Sequence, residues 1–450
     1  MIKRVKQFIP AYRELAKLGL PIFIGQLGSI AVSFADNIMV GHYSTDALAS
    51  ASFVNNLVNT AVLCCMGFSY GLTPLAGALF GAGQKHSIGA LTRVALKLNI
   101  IFTIVIMAIM TVLYFNIHRM GQPEHLLPLI RPYYLLVLIG MIPAAVFNIY
   151  AQWSYSINNS AMPMWIILGS NLLNVVGNYL LIYGHLGLPE LGLFGAGLST
   201  LIARSLGTIV IVAMMFWAHK FRTYREGFLH TPSRAGDNRL IFRTSLPIAL
   251  QTTFECSSFS IAAIMVGWLG DVPLAAYQVF VTIGMLGFCL YYSIGSAISV
   301  KVANAAGMGS RSQMRHMAWA GYHIILLLAL VASLIFIFGG ELLINLFTDD
   351  MRVVITSLTL IVPLVLYQLG DATQISFANA LRGTSNVMPM LWIAFVCYIV
   401  VGVPATYLLG FTCSLGIVGI VLSFSVSLFL AAALFLATFL RTTRESKVQH

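Results

Sequence analysis

Charged residues are scarce in this chain. Only 9% of its 450 residues are Asp, Glu, Lys or Arg, whereas 59% are hydrophobic and the mean hydropathy is +0.88. A soluble protein carries roughly a quarter charged residues, so the composition excludes a soluble globular protein. Apolar runs of about 20 residues recur along the whole length, and they predict a membrane protein with many spans.

Patterns typical of enzymes and metal sites are also missing. The six cysteines lie in apolar segments without paired metal-ligand spacing, and we interpret them as small buried hydrophobic residues. Neither G-x-S-x-G nor H-E-x-x-H occurs, so we expect no enzymatic activity and no bound cofactor. The basic N-terminus is not followed by a cleavage site, and it is expected to begin the first span uncleaved.

Hydropathy predicts an all-α integral membrane protein with twelve transmembrane helices. The second and eighth spans are long enough that they must tilt, bend or project beyond the bilayer. The predicted spans are about 17–41, 48–80, 91–117, 127–156, 162–184, 192–218, 244–268, 273–305, 317–340, 353–381, 386–410 and 415–440.

The net charge of +11 does not indicate nucleic-acid binding, because the basic residues follow the membrane topology. If the N-terminus is cytoplasmic, 21 Lys and Arg residues lie on inner segments and three lie on outer ones. This asymmetry obeys the positive-inside rule and predicts that both termini are in the cytoplasm. The remaining basic residue, Arg204, lies within a span.

The chain repeats itself at a shift of 226 residues. Nine of the 30 residues from Leu20 to Ala49 recur at this shift, including LPI and IMVG, and MPM at 162–164 returns at 388–390. Because six spans is an even number, the two copies have the same orientation in the membrane. We therefore predict two pseudo-symmetric, parallel six-helix bundles, at 1–218 and 244–450, joined by a basic cytoplasmic linker at 219–243.

Three of the fourteen acidic residues lie deep in predicted spans: Asp36, Glu255 and Asp371. A charge near the bilayer centre costs roughly 2.5–3.5 kcal/mol on insertion scales, so such residues indicate an ion or substrate site. A structural role remains an alternative, in which hydroxyl groups or Arg204 satisfy the acids. The repeats differ at these positions, since Asp36 aligns with Ala262 and Glu255 aligns with Ser29.

Polar neighbours favour the functional interpretation. Asn174 and Asn178 are four residues apart and share one helix face, and Thr200 follows the small-residue run GAG at 195–197, which would let helices approach closely. Together with Asp36 these residues offer oxygen ligands for a proton or Na⁺. In the second half, Tyr367 and Asp371 share a helix face in the same way, while Glu255 is on another helix.

The whole chain resembles the multidrug and toxic compound extrusion (MATE) family, in particular its bacterial NorM-type branch. The resemblance rests on DNIMVGH at 36–42, NLLNVVGNYLLIYG at 171–184, GLFGAGLSTLIAR at 192–204, FEC at 254–256 and YQLGD at 367–371. It implies a multi-pass transporter of the bacterial inner membrane that exports lipophilic and often cationic compounds by alternating access. We expect it to function as a monomer, although the sequence leaves the oligomeric state open.

The resemblance also implies where coupling occurs. By resemblance, the Na⁺ or proton site of the first half is expected at Asp36, Asn174, Asn178 and Thr200. That of the second half is expected at Glu255, Asp371 and Tyr367. Gln26, Gln278 and Thr282 are candidates for lining the substrate cavity. Whether the coupling cation is Na⁺, H⁺ or both stays open.

Two other functions fit parts of the pattern. A lipid-linked oligosaccharide flippase of the same superfamily must neutralise pyrophosphate and would carry several basic residues in its cavity, whereas this chain offers only Arg204 within a span. An integral-membrane hydrolase could use paired carboxylates, but no nucleophile–base pattern accompanies them. A channel would show flux that is independent of a counter-transported cation.

Overall fold

The computed structural model describes residues 2–444, with side chains from Gln7 onward. Eleven helices are long and apolar enough to cross a membrane, and one bent helix pair supplies a twelfth span, so the twelve predicted spans are confirmed within the described residues. The helices are Ile2–Tyr43 (α1), Thr45–Ser69 (α2), Leu72–Gly81 (α3), Lys85–Phe115 (α4), Leu127–Ile139 (α5), Met141–Ser156 (α6), Ala161–Tyr183 (α7), Gly192–Trp217 (α8), Arg222–His230 (α9), Asp237–Gly267 (α10), Asp271–Gly307 (α11), Arg311–Asn345 (α12), Met351–Leu358 (α13), Ile361–Gly383 (α14), Met388–Ala394 (α15), Val403–Tyr407 (α16) and Gly416–Thr442 (α17).

Local sequence signals explain several helix ends. The Ser44 hydroxyl accepts a hydrogen bond from the Ala47 N–H and caps the start of α2. Ser310 caps α12 in the same way through the Gln313 N–H. Gly184 ends α7 with φ +71°, a left-handed conformation that glycine adopts without steric cost.

The two long spans differ in how they are accommodated. The second span breaks between α2 and α3 at Tyr70 and Gly71, where the Tyr70 N–H bonds to the carbonyls of Met66 and Gly67. A Cβ atom on Gly71 would lie 2.2 Å from the Ser245 hydroxyl oxygen, so only glycine permits this close approach. The eighth span is one continuous helix of 37 residues, α11.

Three other spans are irregular. The fourth is divided into α5 and α6 at Gly140, and the tenth bends by 51° between α13 and α14. The eleventh contains π-helical segments at Phe395–Gly402 and Leu408–Thr412, on either side of the short α16 that holds Pro404. A wider helical turn is a usual way to accommodate a proline, which lacks an N–H to donate.

The chain forms two compact units, one of residues 24–249 and the other of residues 250–444 together with the described residues up to Phe23. These units differ from the predicted lobes, 1–218 and 244–450, at the first part of α1 and of α10. Both helices contain the repeat-matched prolines, Pro21 and Pro247, well inside their length. Close packing holds the start of α1 in its unit, since a Cβ on Gly19 would lie 2.7 Å from the Ile294 side chain.

The basic linker at 219–243 is more ordered than a loop. It contains α9 and the first turns of α10, and α9 packs on α4 so closely that a Cβ on Gly89 would lie 2.1 Å from the Tyr224 carbonyl oxygen. The Arg93 guanidinium donates to the carbonyls of Phe228 at 2.7 Å and Thr231 at 2.8 Å, at the end of α9. On the exposed side, a hydrogen bond from Arg222 lowers the pKa of Glu226 below its usual value.

The interpretation of all six cysteines as buried residues was wrong. Cys65, Cys289 and Cys397 are buried, but Cys64 and Cys256 are half-buried and Cys413 is exposed near the end of the eleventh span. All six are free thiols. Hydropathy locates a residue in a span, but it does not distinguish a core-facing position from a surface-facing one.

Candidate functional site

Four predicted residues of the first half lie together in the unit 24–249. Asp36, half-buried on α1, accepts a hydrogen bond through Oδ1 from the Asn178 side-chain amide on α7. The Asn174 side-chain amide is oriented so that both of its ends find a hydrogen-bonding neighbour. Its nitrogen lies 2.8 Å from the same Asp36 Oδ1 atom, and its oxygen lies 2.9 Å from the Thr200 hydroxyl. The predicted first-half cluster is therefore contiguous.

Small residues bring α7 and α8 close enough for this contact. A Cβ on Gly195 would lie 2.5 Å from the Leu181 carbonyl oxygen, and one on Gly177 would lie 2.4 Å from the Ser199 hydroxyl. The Ser199 hydroxyl in turn donates to the Asn174 carbonyl at 2.9 Å. The prediction that the GAG run permits close helix approach is thus confirmed, and the approach places Thr200 beside Asn174.

The acids of the second half lie in the other unit. Asp371 on α14 is 2% exposed, and Glu255 on α10 is within electrostatic range of it. Glu255 accepts a hydrogen bond from the Gln251 amide at 3.2 Å, one turn earlier on α10. Tyr367 is buried one turn before Asp371, so these three predicted residues form one cluster.

The second-half cluster contains buried polar atoms without a hydrogen-bond partner among the described residues. They are Asp371 Oδ2, Gln251 Oε1, Gln374 Oε1 and the hydroxyl groups of Tyr291 and Tyr398. Both tyrosines are within electrostatic range of Asp371. Buried polar groups are normally paired, so a group of unpaired oxygen atoms around two carboxylates indicates a site for a cation or for ordered water.

Aromatic rings close the second cluster on one side. The Tyr367 ring lies 5.4 Å from that of Phe280, 6.2 Å from that of Phe259 and 6.4 Å from that of Phe424, between ring centroids. Gly287 allows Gln368 to approach, since a Cβ there would lie 2.6 Å from the Gln368 amide oxygen. The apolar rings lower the local dielectric and so strengthen electrostatic interactions at the acids.

Several members of these clusters were missed by sequence reasoning. Gln251 lies four residues before Glu255 and Gln374 three residues after Asp371, so helical spacing could have identified both. No sequence signal pointed to Tyr291 or Tyr398, whose helices approach the acids only through the fold.

The three cavity candidates are not in one unit. Gln26 belongs to the unit 24–249, where it is half-buried. Gln278 is exposed and Thr282 half-buried on α11 of the other unit, one turn apart, with the Thr282 hydroxyl donating to the Gln278 carbonyl at 2.8 Å. Their role in binding substrate stays a prediction.

Among residues 7–444, no basic side chain forms an ion pair with any of the three intramembrane acids. Within residues 7–444 the ion pairs of 4.0 Å or less involve other acids, namely Asp46, Glu226, Glu14 and Asp350. Arg382, on α14, is within electrostatic range of Glu255. In the same part of the chain, no group of three or more His, Cys, Asp or Glu side chains could hold a metal ion.

Comparison with known proteins gives a consistent result. The MatE family model matches residues 21–180 and 247–408. The chain is 30% identical to the multidrug resistance protein PmpM of Pseudomonas aeruginosa, over 89% of this chain and 84% of that protein. It is 28% identical to the probable multidrug resistance protein NorM of Mannheimia succiniciproducens, over 97% of this chain and 95% of that protein.

Solved structures show the same fold. A MOP superfamily transporter from Pyrococcus furiosus matches with a TM-score of 0.88 at 18% identity, covering 97% of both chains. A mutant of the Vibrio cholerae MATE transporter VcmN also matches with a TM-score of 0.88, at 16% identity, covering 98% of this chain and 99% of that one. At this level of identity the likeness concerns the fold.

Proposed function

Because the chain belongs to the MatE family, we propose that it is a multidrug efflux transporter that exports lipophilic, often cationic compounds in exchange for Na⁺ or H⁺. Curated relatives in three bacteria are named multidrug resistance proteins. The observation that carries the coupling proposal is that three carboxylates lie within spans, in two separate polar clusters, and form no ion pair with a basic side chain of residues 7–444. The charge asymmetry of the chain supports a cytoplasmic location for both termini.

The first-half cluster suits a proton. Both amide donors, Asn178 and Asn174, approach the same oxygen of Asp36, Oδ1. Among the described residues no contact of this kind engages Oδ2, which is left to gain and lose a proton while the amides hold the carboxyl in place. N–H donors do not ligate Na⁺, and the Thr200 hydroxyl faces Asn174 and not the carboxylate. Asn178 Oδ1 is buried without a partner among the described residues, but one amide oxygen supplies fewer ligands than the group of unpaired oxygens in the second half.

The second-half cluster suits Na⁺ better. Its unpaired atoms are carboxylate, amide and phenol oxygens, the hard ligands that such a cation prefers. A cation bound there would offset the mutual repulsion of Glu255 and Asp371, which costs more in the apolar surroundings than in water.

Coupling follows from differential binding. A ligand shifts a conformational equilibrium only by the difference between its affinities for the two states. A cation entering from outside would favour the arrangement in which these carboxylates are neutralised, and would thereby weaken the attraction that holds a cationic drug. A membrane potential contributes roughly 2.3 kcal/mol per charge per 100 mV to this exchange.

Uptake of a cationic dye by everted membrane vesicles tests the proposal. Separately imposed Na⁺ and pH gradients should each be tried with the wild type, with Asp36→Asn and with Asp371→Asn. Both variants keep the size of the side chain but remove its charge, so we expect each to lose gradient-driven uptake. Asp46→Asn is the matched control because Asp46 is exposed at the start of α2, and it should transport normally.

The outcomes are distinct. Loss of uptake under only one kind of gradient would assign that cation to the cluster that was changed. Full gradient-driven uptake in both Asp36→Asn and Asp371→Asn would reject the coupling role of these acids.

A further inference from the structure

An apolar recess lies at the bend of the tenth span. Its walls come from α11, α12, α13 and α14, all within the unit that contains residues 250–444, and they include Phe280, Phe336 and Leu364. The volume is about 320 Å³, counting the part that is open to the surroundings. Because an apolar protein cavity of about 150 Å³ is sufficient to bind benzene, the recess has room for one aromatic ring.

One polar side chain, that of Ser357, lines the recess, and all the other lining residues are apolar. Ser357 is 4% exposed, and its hydroxyl has no hydrogen-bond partner in the described part of the chain. A buried water typically makes about three hydrogen bonds, so one polar side chain is a poor site for water alone. The lining therefore suits a molecule with an apolar body and a single hydrogen-bonding group.

The walls of the recess stand on both sides of the bend. Ser357 is on α13, Leu360 lies between the two helices and Leu364 is on α14. The helices meet at 51°, and Pro363 favours this break because it lacks the N–H that would donate to the Thr359 carbonyl. Straightening of the span would move Ser357 relative to Leu364. A ligand that contacts both helices would therefore favour the bent arrangement.

The recess also shares a side chain with the Asp371 cluster. Phe280 lines the recess, and its ring centroid lies 5.4 Å from that of Tyr367, one helical turn before Asp371. Gly284, one turn after Phe280 on α11, faces the same tyrosine, since its Cβ position lies 3.6 Å from a Tyr367 ring carbon. A molecule in the recess would contact the phenylalanine that packs on Tyr367.

We propose that this recess binds a monocyclic phenol, with its ring against Phe280 and Phe336 and its hydroxyl bonded to Ser357, and that binding holds the bend between α13 and α14. The ring matches the apolar and aromatic walls, and the single hydroxyl can donate to or accept from Ser357. A lipid acyl chain is not the expected occupant, because it has no group to pair with the buried hydroxyl. The site needs neither an ion gradient nor the intramembrane acids, so it goes beyond the export proposal.

Two compounds that differ in one group test the site. p-Cresol and p-xylene have nearly the same shape, but the hydroxyl of the first is a methyl group in the second. Binding of each to the purified full-length protein in detergent is titrated by saturation-transfer NMR, with detergent alone as the blank. We expect Ser357→Ala to weaken binding of p-cresol about fivefold, because one hydrogen bond is lost, and to leave binding of p-xylene unchanged.

Ser333→Ala is the matched control. Ser333, on α12, is 5% exposed and its hydroxyl also has no partner among the described residues, but it does not line the recess. This variant should bind both compounds as the wild type does. Absence of saturable p-cresol binding to the wild type, equal loss of both compounds in Ser357→Ala, or the same loss in Ser333→Ala would overturn the proposal.

Hydrogen exchange tests the effect on the bend. The N–H groups of Thr359 and Leu360 donate to carbonyls three residues earlier, those of Thr356 and Ser357, at 3.2 Å and 3.0 Å. A ligand that binds only the closed form at ten times its dissociation constant slows exchange about tenfold, and we expect this for p-cresol at residues 355–364 of the wild type. Saturable binding with unchanged exchange in this segment would reject the link between the site and the bend.

Discussion

The contact between α7 and α8 should control the geometry of the Asp36 cluster, and Gly195→Ala is the smallest change that perturbs it. The added methyl group would begin 2.5 Å from the Leu181 carbonyl oxygen, whereas ordinary contact starts at 3.4 Å. The backbone of α8 must therefore retreat from α7 by about 0.9 Å, since the obstacle is backbone and cannot rotate away. If Thr200 moves with it, its distance from the Asn174 amide grows from 2.9 Å to about 3.8 Å, beyond hydrogen-bonding range.

Two measurements follow this change. Overpacking should lower the free energy of unfolding by about 1–3 kcal/mol, measured by thermal unfolding in detergent. Gradient-driven dye uptake should also fall when it is normalised to the amount of folded protein. Gly169→Ala on α7 is the matched control, because nothing lies within 4 Å of its Cβ position. Transport and unfolding of Gly195→Ala that match those of Gly169→Ala would refute the proposed control by this helix contact.

Two further predictions concern the linker and the second cluster. Arg93→Gln removes charge-assisted hydrogen bonds to the end of α9, so hydrogen exchange of the amides in 222–231 should become about tenfold faster. Arg222→Gln removes only the exposed ion pair with Glu226 and should speed exchange about twofold at most. Equal exchange in both variants would contradict the docking role. Tyr398→Phe removes a buried hydroxyl that has no hydrogen-bond partner in the described part of the chain, so the melting temperature in choline chloride should stay the same or rise. Its additional stabilisation by NaCl should shrink if the hydroxyl ligates Na⁺, and an undiminished effect would exclude that role.

The elements that the sequence predicts well are those decided by local physics. Hydropathy locates the twelve spans because each must cover the apolar core of the bilayer. The intramembrane acids stand out because charge is expensive there, and the four-residue spacing of Asn174 and Asn178 places both amides on one face. These local signals are sufficient to predict the members of the Asp36 cluster.

Features that depend on packing between distant segments were not predictable. The break at Tyr70 depends on how closely Gly71 approaches Ser245, about 170 residues later in the chain. Tyr291 and Tyr398 join the acids through helix packing, and neither position has a distinguishing local pattern. The docking of α9 depends on Gly89, where α4 meets it at backbone distance. In each case the sequence shows a small or aromatic residue but not its partner.

The difference between the repeats follows from burial. Ala262, the counterpart of Asp36, is only 1% exposed, so a carboxylate there would be buried, which is costly without hydrogen-bond partners. Ser29, the counterpart of Glu255, is exposed and its hydroxyl donates to the Gly25 carbonyl of its own helix at 3.1 Å. The acid of each half therefore occupies the position at which its own unit supplies amide partners, Asn178 for Asp36 and Gln251 for Glu255. Duplication preserved the helical scaffold, while the location of each charge follows the local supply of hydrogen bonds.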